Sequence, residues 1–142
     1  MSDAVKVLMD DHSKVERLFK QAGEGAKYEY LRQICQELTV HAALEEEFIY
    51  PLLEEIDPDT ASESLEEHEQ MKGLIEEIEA MDPTDPQIRQ AARMLKNVFT
   101  HHAEEEENGA FPTLLSRLER DRLRELGREI FARRQDLLAQ LT

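Results

Sequence analysis

Apolar residues recur at helical spacing along almost the whole chain, and this pattern is the strongest constraint on its fold. Four successive stripes with a period near 3.6 residues are followed by a fifth near the C-terminal end. The stripes comprise Val5, Leu8, Met9, Val15, Leu18 and Phe19; Leu31, Ile34, Leu38, Phe48 and Leu52; Leu65, Met71, Ile75 and Ile78; Ile88, Ala91, Leu95, Val98 and Phe99; and Leu123, Leu126, Ile130, Phe131, Leu137, Leu138 and Leu141. The sustained period-two alternation of strands is missing. We therefore predict an all-α fold, an up-down antiparallel four-helix bundle with an additional C-terminal helix.

Short breaks separate the stripes and set the organisation of the chain. Gly23 and Gly25 end the first stripe, and the stretches IDPDTAS and MDPTDP flank the third. A length of 142 residues suits one domain with a core of its own. The prediction is a single domain over 1–142, with a bundle over about 3–117 and the C-terminal helix over about 119–141.

An internal echo divides the bundle into two hairpins of similar design. HAALEEEFIYPLL, from residue 41, lines up with HAEEEENGAFPTLL, from residue 102. In both, a glutamate follows the histidine by four positions and an aromatic-proline pair follows by nine and ten. The helix before each copy carries an acid-histidine pair, Asp11-His12 and Glu67-His68. The acids that follow the glutamate of each copy are interpreted as solvated helix faces.

Each of the four bundle helices has one histidine within its apolar stripe. His12, His41 and His68 lie three or four residues from apolar stripe positions, and Glu45 follows His41 by one helical turn. In the fourth helix, His102 nearly shares the mean direction of the apolar residues, and Glu106 keeps to the stripe better than Glu105. The internal echo selects the same pair, although His101 with Glu105 remains the alternative.

Six inward ionisable side chains indicate a metal site. A single core-facing histidine is usually just hydrogen-bonded, but buried carboxylates without partners are costly. Apart from Lys72, no basic residue lies in the stripes to pair with them. The candidate ligands are His12, His41, Glu45, His68, His102 and Glu106. Six protein ligands suit two ions, and mixed imidazole and carboxylate donors favour iron over manganese or zinc.

Charge and cysteine content exclude several classes of protein. The chain has 17 basic and 32 acidic residues, a net charge of −15, which repels nucleic acids and anionic membranes. Cys35 is the only cysteine, so no intramolecular disulfide can form and a reducing, cytoplasmic setting is expected. The N-terminal residues lack the apolar run of a signal peptide. We expect no nucleic-acid or membrane partner, and a monomer or weak homodimer.

The six residues occur in the order H…HxxxE…H…HxxxE, and this motif resembles that of the hemerythrin-like (HHE cation-binding) family. The resemblance spans Asp11-His12 to Phe111-Pro112 and implies an oxo- or hydroxo-bridged pair of iron ions inside a four-helix bundle. Oxygen-carrying members have a further histidine four residues after the third-helix one, where this chain has Lys72. Lys72, Tyr28 or Tyr50 is a candidate to complete the shell, although an ideal helix directs Tyr50 away from His41.

The resemblance implies a non-haem di-iron protein that binds and reacts with a small oxidant: dioxygen, hydrogen peroxide or nitric oxide. Because Lys72 replaces the carrier histidine, we favour catalase-like decomposition of peroxide over reversible oxygen binding. No protein nucleophile is required for that reaction. The alternatives are an iron- or oxygen-binding sensor or storage module without turnover, and a metal-free acidic bundle.

Overall fold

The computed structural model describes residues 3–141 as helices and short links, with no strand in that range. The helices are α1 (Ala4–Ala22), α2 (Tyr28–Leu44), α3 (Tyr50–Ile56), α4 (Pro58–Ala80), α5 (Ile88–Glu105), α6 (Phe111–Arg117) and α7 (Arg120–Leu141). One π-helical turn (Glu45–Ile49) joins α2 to α3, and a second (Glu106–Ala110) joins α5 to α6. The predicted bundle with an added C-terminal helix is confirmed.

The bundle consists of two helical hairpins, in which α1 packs on α2 and α4 packs on α5. Only Asp57 separates α3 from α4. The break predicted over the stretch IDPDTAS is therefore a single residue long. Asp57 caps α4: its carboxylate accepts hydrogen bonds from the backbone N–H of Thr60 at 3.3 Å and from the Thr60 hydroxyl at 2.7 Å. Pro58 occupies the first helical turn, where its missing N–H costs nothing.

The apolar core falls into two clusters with a polar layer between them. One cluster includes Val15, Leu18, Leu31, Ile34, Leu38, Ile75, Ile78, Leu95 and Phe99. The other includes Leu8, Val40, Leu44, Leu53, Phe111, Leu114, Leu123, Leu126 and Ile130. Apolar packing on both sides of this layer isolates its ionisable side chains from water, which strengthens their mutual electrostatic interactions.

The C-terminal helix α7 packs along the first hairpin, against α1 and α2. Arg134 pairs with Asp11 on α1, and Nε of Arg133 donates to Glu47 at 3.1 Å. The stripe pattern wrongly assigned four exposed residues to the core: the exposed fraction is 61% for Phe131, 44% for Leu141, 40% for Leu65 and 39% for Met9. Among residues 3–141, no helix has the length and apolar character needed to cross a membrane.

Candidate metal centre

All six residues predicted as ligands lie in the buried polar layer. They are His12, His41, Glu45, His68, His102 and Glu106, and each is at most 3% exposed. The alternative pair on α5 faces outward, because the side chains of His101 and Glu105 are 64% and 43% exposed. The structure therefore places the second histidine of α5, and not the first, in the interior.

The buried side chains form two groups that share Glu45. One consists of His12, His41, Glu45 and Glu106, and the other of Glu45, His68 and His102. Oε1 of Glu45 lies 3.3 Å from Nε2 of His41 and 3.0 Å from Nε2 of His68. Oε1 of Glu106 lies 3.0 Å from Nε2 of His12. Within each group the candidate ligand atoms lie within 4.8 Å of one another, so each group could hold one cation.

Each of the four histidines donates its Nδ1–H to a carboxylate outside the two groups. The pairs are His12 with Glu107 at 2.9 Å, His41 with Asp11 at 3.0 Å, His68 with Glu46 at 2.9 Å, and His102 with Glu67 at 2.7 Å. These bonds fix the orientation of the rings and leave Nε2 of each directed at the centre. Metal-binding histidines have this arrangement in general.

The outer carboxylates follow one rule in both hairpins. The acid before the first histidine of a hairpin binds the second histidine of that hairpin, as Asp11 binds His41. The acid after a buried glutamate binds a histidine of the other hairpin, as Glu46 binds His68. Each acid is thus a sequence neighbour of one inner residue and the partner of another, which ties the helices together through the centre.

The interpretation of the acidic runs as solvated faces is wrong at two positions. The side chains of Glu46 and Glu107 are 30% and 36% exposed, and each holds a buried histidine. Helical spacing could not reveal this role because the histidine in question is on a different helix. The repeated acid-histidine pairs and acidic neighbours were the available signal.

Tyr50 reaches the centre because of a change in helical register. The backbone N–H of Tyr50 donates to the carbonyl of Glu45, five residues back, which is the π-helical pattern. On an ideal helix the nine steps from His41 to Tyr50 rotate the chain by about 900°, which places the two side chains on opposite faces. The wider π turn reduces the angle between the two side chains to roughly 80°. The Tyr50 hydroxyl lies 2.8 Å from Nε2 of His68 and donates to Glu45 at 3.3 Å.

Lys72 and Tyr28, the other candidates to complete the shell, do not reach the centre. The ammonium of Lys72 donates to Glu46 at 3.1 Å, and its side chain is 43% exposed. It supports His68 indirectly by holding the carboxylate that holds that ring. Tyr28 lies at the surface, 39% exposed.

The charges of the centre are strongly coupled. Burial lowers the pKa of His41, but Glu45 and the other nearby carboxylates outweigh it and raise that pKa well above its usual value. Burial also acts against ionisation of Glu45, yet the imidazolium of His41 holds the pKa of this carboxyl well below its usual range. Burial lowers and Glu106 raises the pKa of His102, with a net rise to about 12. His41 and His102 therefore retain protons that compensate the two buried carboxylates, and bound cations would take over this compensation.

Two buried atoms at the centre lack hydrogen-bond partners among residues 3–141. They are Nε2 of His41 and Oε2 of Glu45. Buried polar atoms are almost always satisfied, so an unsatisfied pair in adjacent side chains calls for a ligand. A cation accepts lone pairs from both atoms, and the donor set of imidazole and carboxylate therefore fits a bound metal.

Residues 3–114 match the family described as Hemerythrin HHE cation binding domain. The chain belongs to this family. The H…HxxxE…H…HxxxE motif lies within the matched residues, and the buried cluster of histidines and glutamates is the candidate for the cation-binding site of this hemerythrin-like domain.

One solved structure and one curated protein are similar to this chain. The crystal structure of a hemerythrin HHE cation binding domain-containing protein from Mycobacterium kansasii superimposes with a TM-score of 0.82, covering 99% of this chain and 90% of that one at 22% identity. This likeness shows the fold. A protein named DNA nickase from Nostoc sp. (strain PCC 7120) is 30% identical over 140 residues. The chain spans 95% of its own length but 40% of that relative.

The two halves of this hemerythrin-like centre are not equivalent. Tyr50 and Phe111 occupy matching positions after the histidines of α2 and α5. The Phe111 ring stacks on His12, with centroids 5.7 Å apart and planes inclined by 20°. Tyr50 instead presents a hydroxyl to His68. The second hairpin's half therefore has an additional oxygen donor, and the first half is closed by an apolar ring.

Proposed function

We propose that this chain is a non-haem di-iron protein that binds small oxidants and decomposes hydrogen peroxide. The proposal rests on one observation: two pairs of buried histidines, one pair from each hairpin, flank two buried carboxylates, and each carboxylate lies within 3.3 Å of a histidine of either hairpin. Bound iron would supply redox chemistry and open coordination positions for the oxidant. The chain would supply the donors, their orientation and an enclosure that excludes water.

We assign one ion to each hairpin. His12 and His41 would hold the first, and His68 and His102 the second. Glu45 and Glu106 would be shared, since each has an oxygen within 3.4 Å of histidine Nε2 atoms. Two dications would replace the protons that otherwise balance these carboxylates. The mixed donor set suits iron, with manganese or zinc as the alternatives that metal analysis distinguishes.

Reaction with peroxide fits this centre better than reversible oxygen carriage. The position of the further histidine in oxygen carriers is held by Lys72, whose ammonium binds Glu46 and not the centre. Tyr50 brings its hydroxyl to the His68 half, where it can bind the ion or donate a hydrogen bond to an oxidant. The partners are thus small molecules, with hydrogen peroxide first and dioxygen or nitric oxide as further ligands.

The name of the Nostoc relative raises cleavage of a DNA strand as a different activity, which we do not propose for this chain. A net charge of −15 opposes approach to a phosphate backbone. The relative is also much longer than the segment matched here.

Oxygen release from hydrogen peroxide tests the proposed function. We expect the iron-loaded protein to release one dioxygen for every two peroxide molecules consumed, faster than the same concentration of free iron, with an oxygen electrode as the readout. The metal-free protein and the zinc-loaded protein are controls, because zinc has no redox chemistry. Stable binding of two iron ions without release above free iron would favour the sensor or storage alternative.

Loss of an outer carboxylate should weaken metal binding without removing a ligand. Glu67→Gln replaces the acceptor at 2.7 Å from Nδ1 of His102 with a neutral amide. We expect the affinity for the second ion to fall by about 10- to 100-fold. Competition against a coloured chelator measures it. Glu66→Gln, the same change at the exposed neighbouring residue, should leave affinity unchanged. Equal affinities in both variants would contradict the orienting role.

A further inference from the structure

The C-terminal helix α7 reaches the metal centre through Arg134. Nη2 of Arg134 donates a hydrogen bond to Oδ2 of Asp11. The same oxygen accepts the Nδ1–H of His41 at 3.0 Å, and that ring directs Nε2 at the centre. Two hydrogen bonds in series therefore connect a helix outside both hairpins to a candidate metal ligand.

Arg134 lies in the inward-facing stripe of α7 and not on its solvent face. Leu123, Leu126 and Ile130 are buried at steps of three and four residues, and Arg134 follows Ile130 by four. The side chain of Arg134 is only 20% exposed. A charge held within an apolar stripe needs a counterion, and Asp11 on α1 supplies it. Arginine suits this position because its stem packs against apolar neighbours and its charge is permanent.

Asp11 is one of the two more deeply buried of the four outer carboxylates. Its side chain is 11% exposed, against 30% for Glu46 and 36% for Glu107. An ionised carboxylate at such a depth is costly without positive partners. Arg134 provides a partner that does not depend on the state of the centre, and it fixes the carboxylate that orients His41.

The second hairpin supplies a cation of its own for a comparable task. Lys72 follows His68 by one helical turn and donates to Glu46, which holds the His68 ring. Oε1 of Glu45 lies 3.0 Å from Nε2 of His68 and 3.3 Å from Nε2 of His41. Both rings, each with a cation behind its carboxylate, therefore flank the same oxygen of the shared glutamate. On the His41 side, however, the cation belongs to α7.

We propose that Arg134 is a positioning residue for the first metal ion, and that it couples the docking of α7 to metal occupancy. The proposal rests on the proposed function, because it requires a cation on His41. With α7 docked, Arg134 fixes Asp11, and Asp11 fixes the ring that binds the ion. Such coupling is reciprocal: docking strengthens metal binding by the same factor by which metal strengthens docking. The helix α7 lies beyond residues 3–114, so the family motif does not include this contact.

Arg134→Gln should weaken metal binding although it changes no ligand. We expect the affinity of the apo protein for Zn²⁺ to fall by about three- to tenfold, a typical coupling within one hydrogen-bond network. Competition against a coloured chelator gives the affinity. Arg133→Gln is the matched control, because it removes the same charge from the neighbouring residue, whose partner Glu47 is exposed. Arg134→Lys keeps the charge and should recover most of the loss.

A second substitution separates action through Asp11 from a merely structural role of Arg134. Asp11→Asn should itself lower the Zn²⁺ affinity by about 10- to 100-fold, as expected for loss of an outer carboxylate. In that background, Arg134→Gln should change the affinity by less than about twofold, because the charge on which Arg134 acts is gone. Equal effects of Arg134→Gln in both backgrounds would overturn the positioning role.

Hydrogen exchange measures the reciprocal effect in the unmodified protein. Amides near the end of α7, over residues 131–138, should exchange through local opening of the helix from the bundle. We expect Zn²⁺ to slow their exchange by about the same three- to tenfold. The last turn of α4, over residues 77–80, is the control, since it begins about two and a half turns beyond His68 and should not respond.

Unmodified Zn²⁺ affinity in Arg134→Gln would overturn the positioning role while leaving the di-iron proposal intact. If Arg134→Gln does not fold, as judged by circular dichroism, the exchange measurement still decides, and unchanged exchange of α7 on binding Zn²⁺ overturns the coupling. An unmodified protein that binds no metal would overturn both proposals. The affinities of the variant and of the unmodified protein therefore separate the two failures.

Discussion

Removal of the metal ions is expected to lower the melting temperature of the protein by about 13 °C. At a free metal concentration near 30 times the dissociation constant of each of the two sites, binding to the native state adds about 4 kcal/mol of stability in total. The entropy of unfolding of a domain of this size converts that free energy into about 13 °C. The physical source is the buried centre, where Nε2 of His41 and Oε2 of Glu45 have no hydrogen-bond partner among the described residues.

Thermal unfolding followed by circular dichroism checks this expectation, with iron-loaded protein compared before and after treatment with a chelator. Mg²⁺ is the control ion, because it prefers oxygen donors and should not restore the loss. Identical melting temperatures with and without iron would mean that the centre does not depend on cations for its stability. Recovery on adding back iron would exclude chemical damage by the chelator.

Local helical geometry was sufficient to find the inner residues from the sequence. His102 was separated from His101 because successive residues differ by about 100° in direction, so only one of two adjacent side chains can share the apolar stripe. The pairing of Glu106 with His102 followed from the same spacing. Both side chains are 1% exposed in the structure, whereas His101 faces solvent.

Contacts between helices were beyond the reach of that geometry. Glu46 and Glu107 follow the buried glutamates in sequence, but they bind histidines of the opposite hairpin, and no local spacing encodes which helix faces them. The prediction that Tyr50 points away from the centre was wrong for a different reason. The π turn depends on a hydrogen bond shifted by one residue, and an ideal helix does not include that shift.

Replacing Glu45 by glutamine should remove most of the bound metal. Oε1 of Glu45 lies within 3.4 Å of Nε2 of His68 and His102 and 3.3 Å from that of His41, so this carboxylate joins the two halves of the centre. Glutamine has nearly the same size but no charge, and only one of its terminal atoms can accept. We expect the iron content after gel filtration to fall from two ions per chain to one or fewer, with loss of peroxide decomposition.

Glu47→Gln is the matched control for this prediction. It makes the same chemical change two residues later in the same π turn, where the side chain is 48% exposed and pairs with Arg133. An exposed ion pair contributes roughly 1 kcal/mol or less, so this variant should keep two ions and full activity. Because both variants lose one carboxylate from one turn, a difference between them isolates the bridging position from the effect of net charge. Two tightly bound ions in Glu45→Gln would show that the halves of the centre bind metal independently.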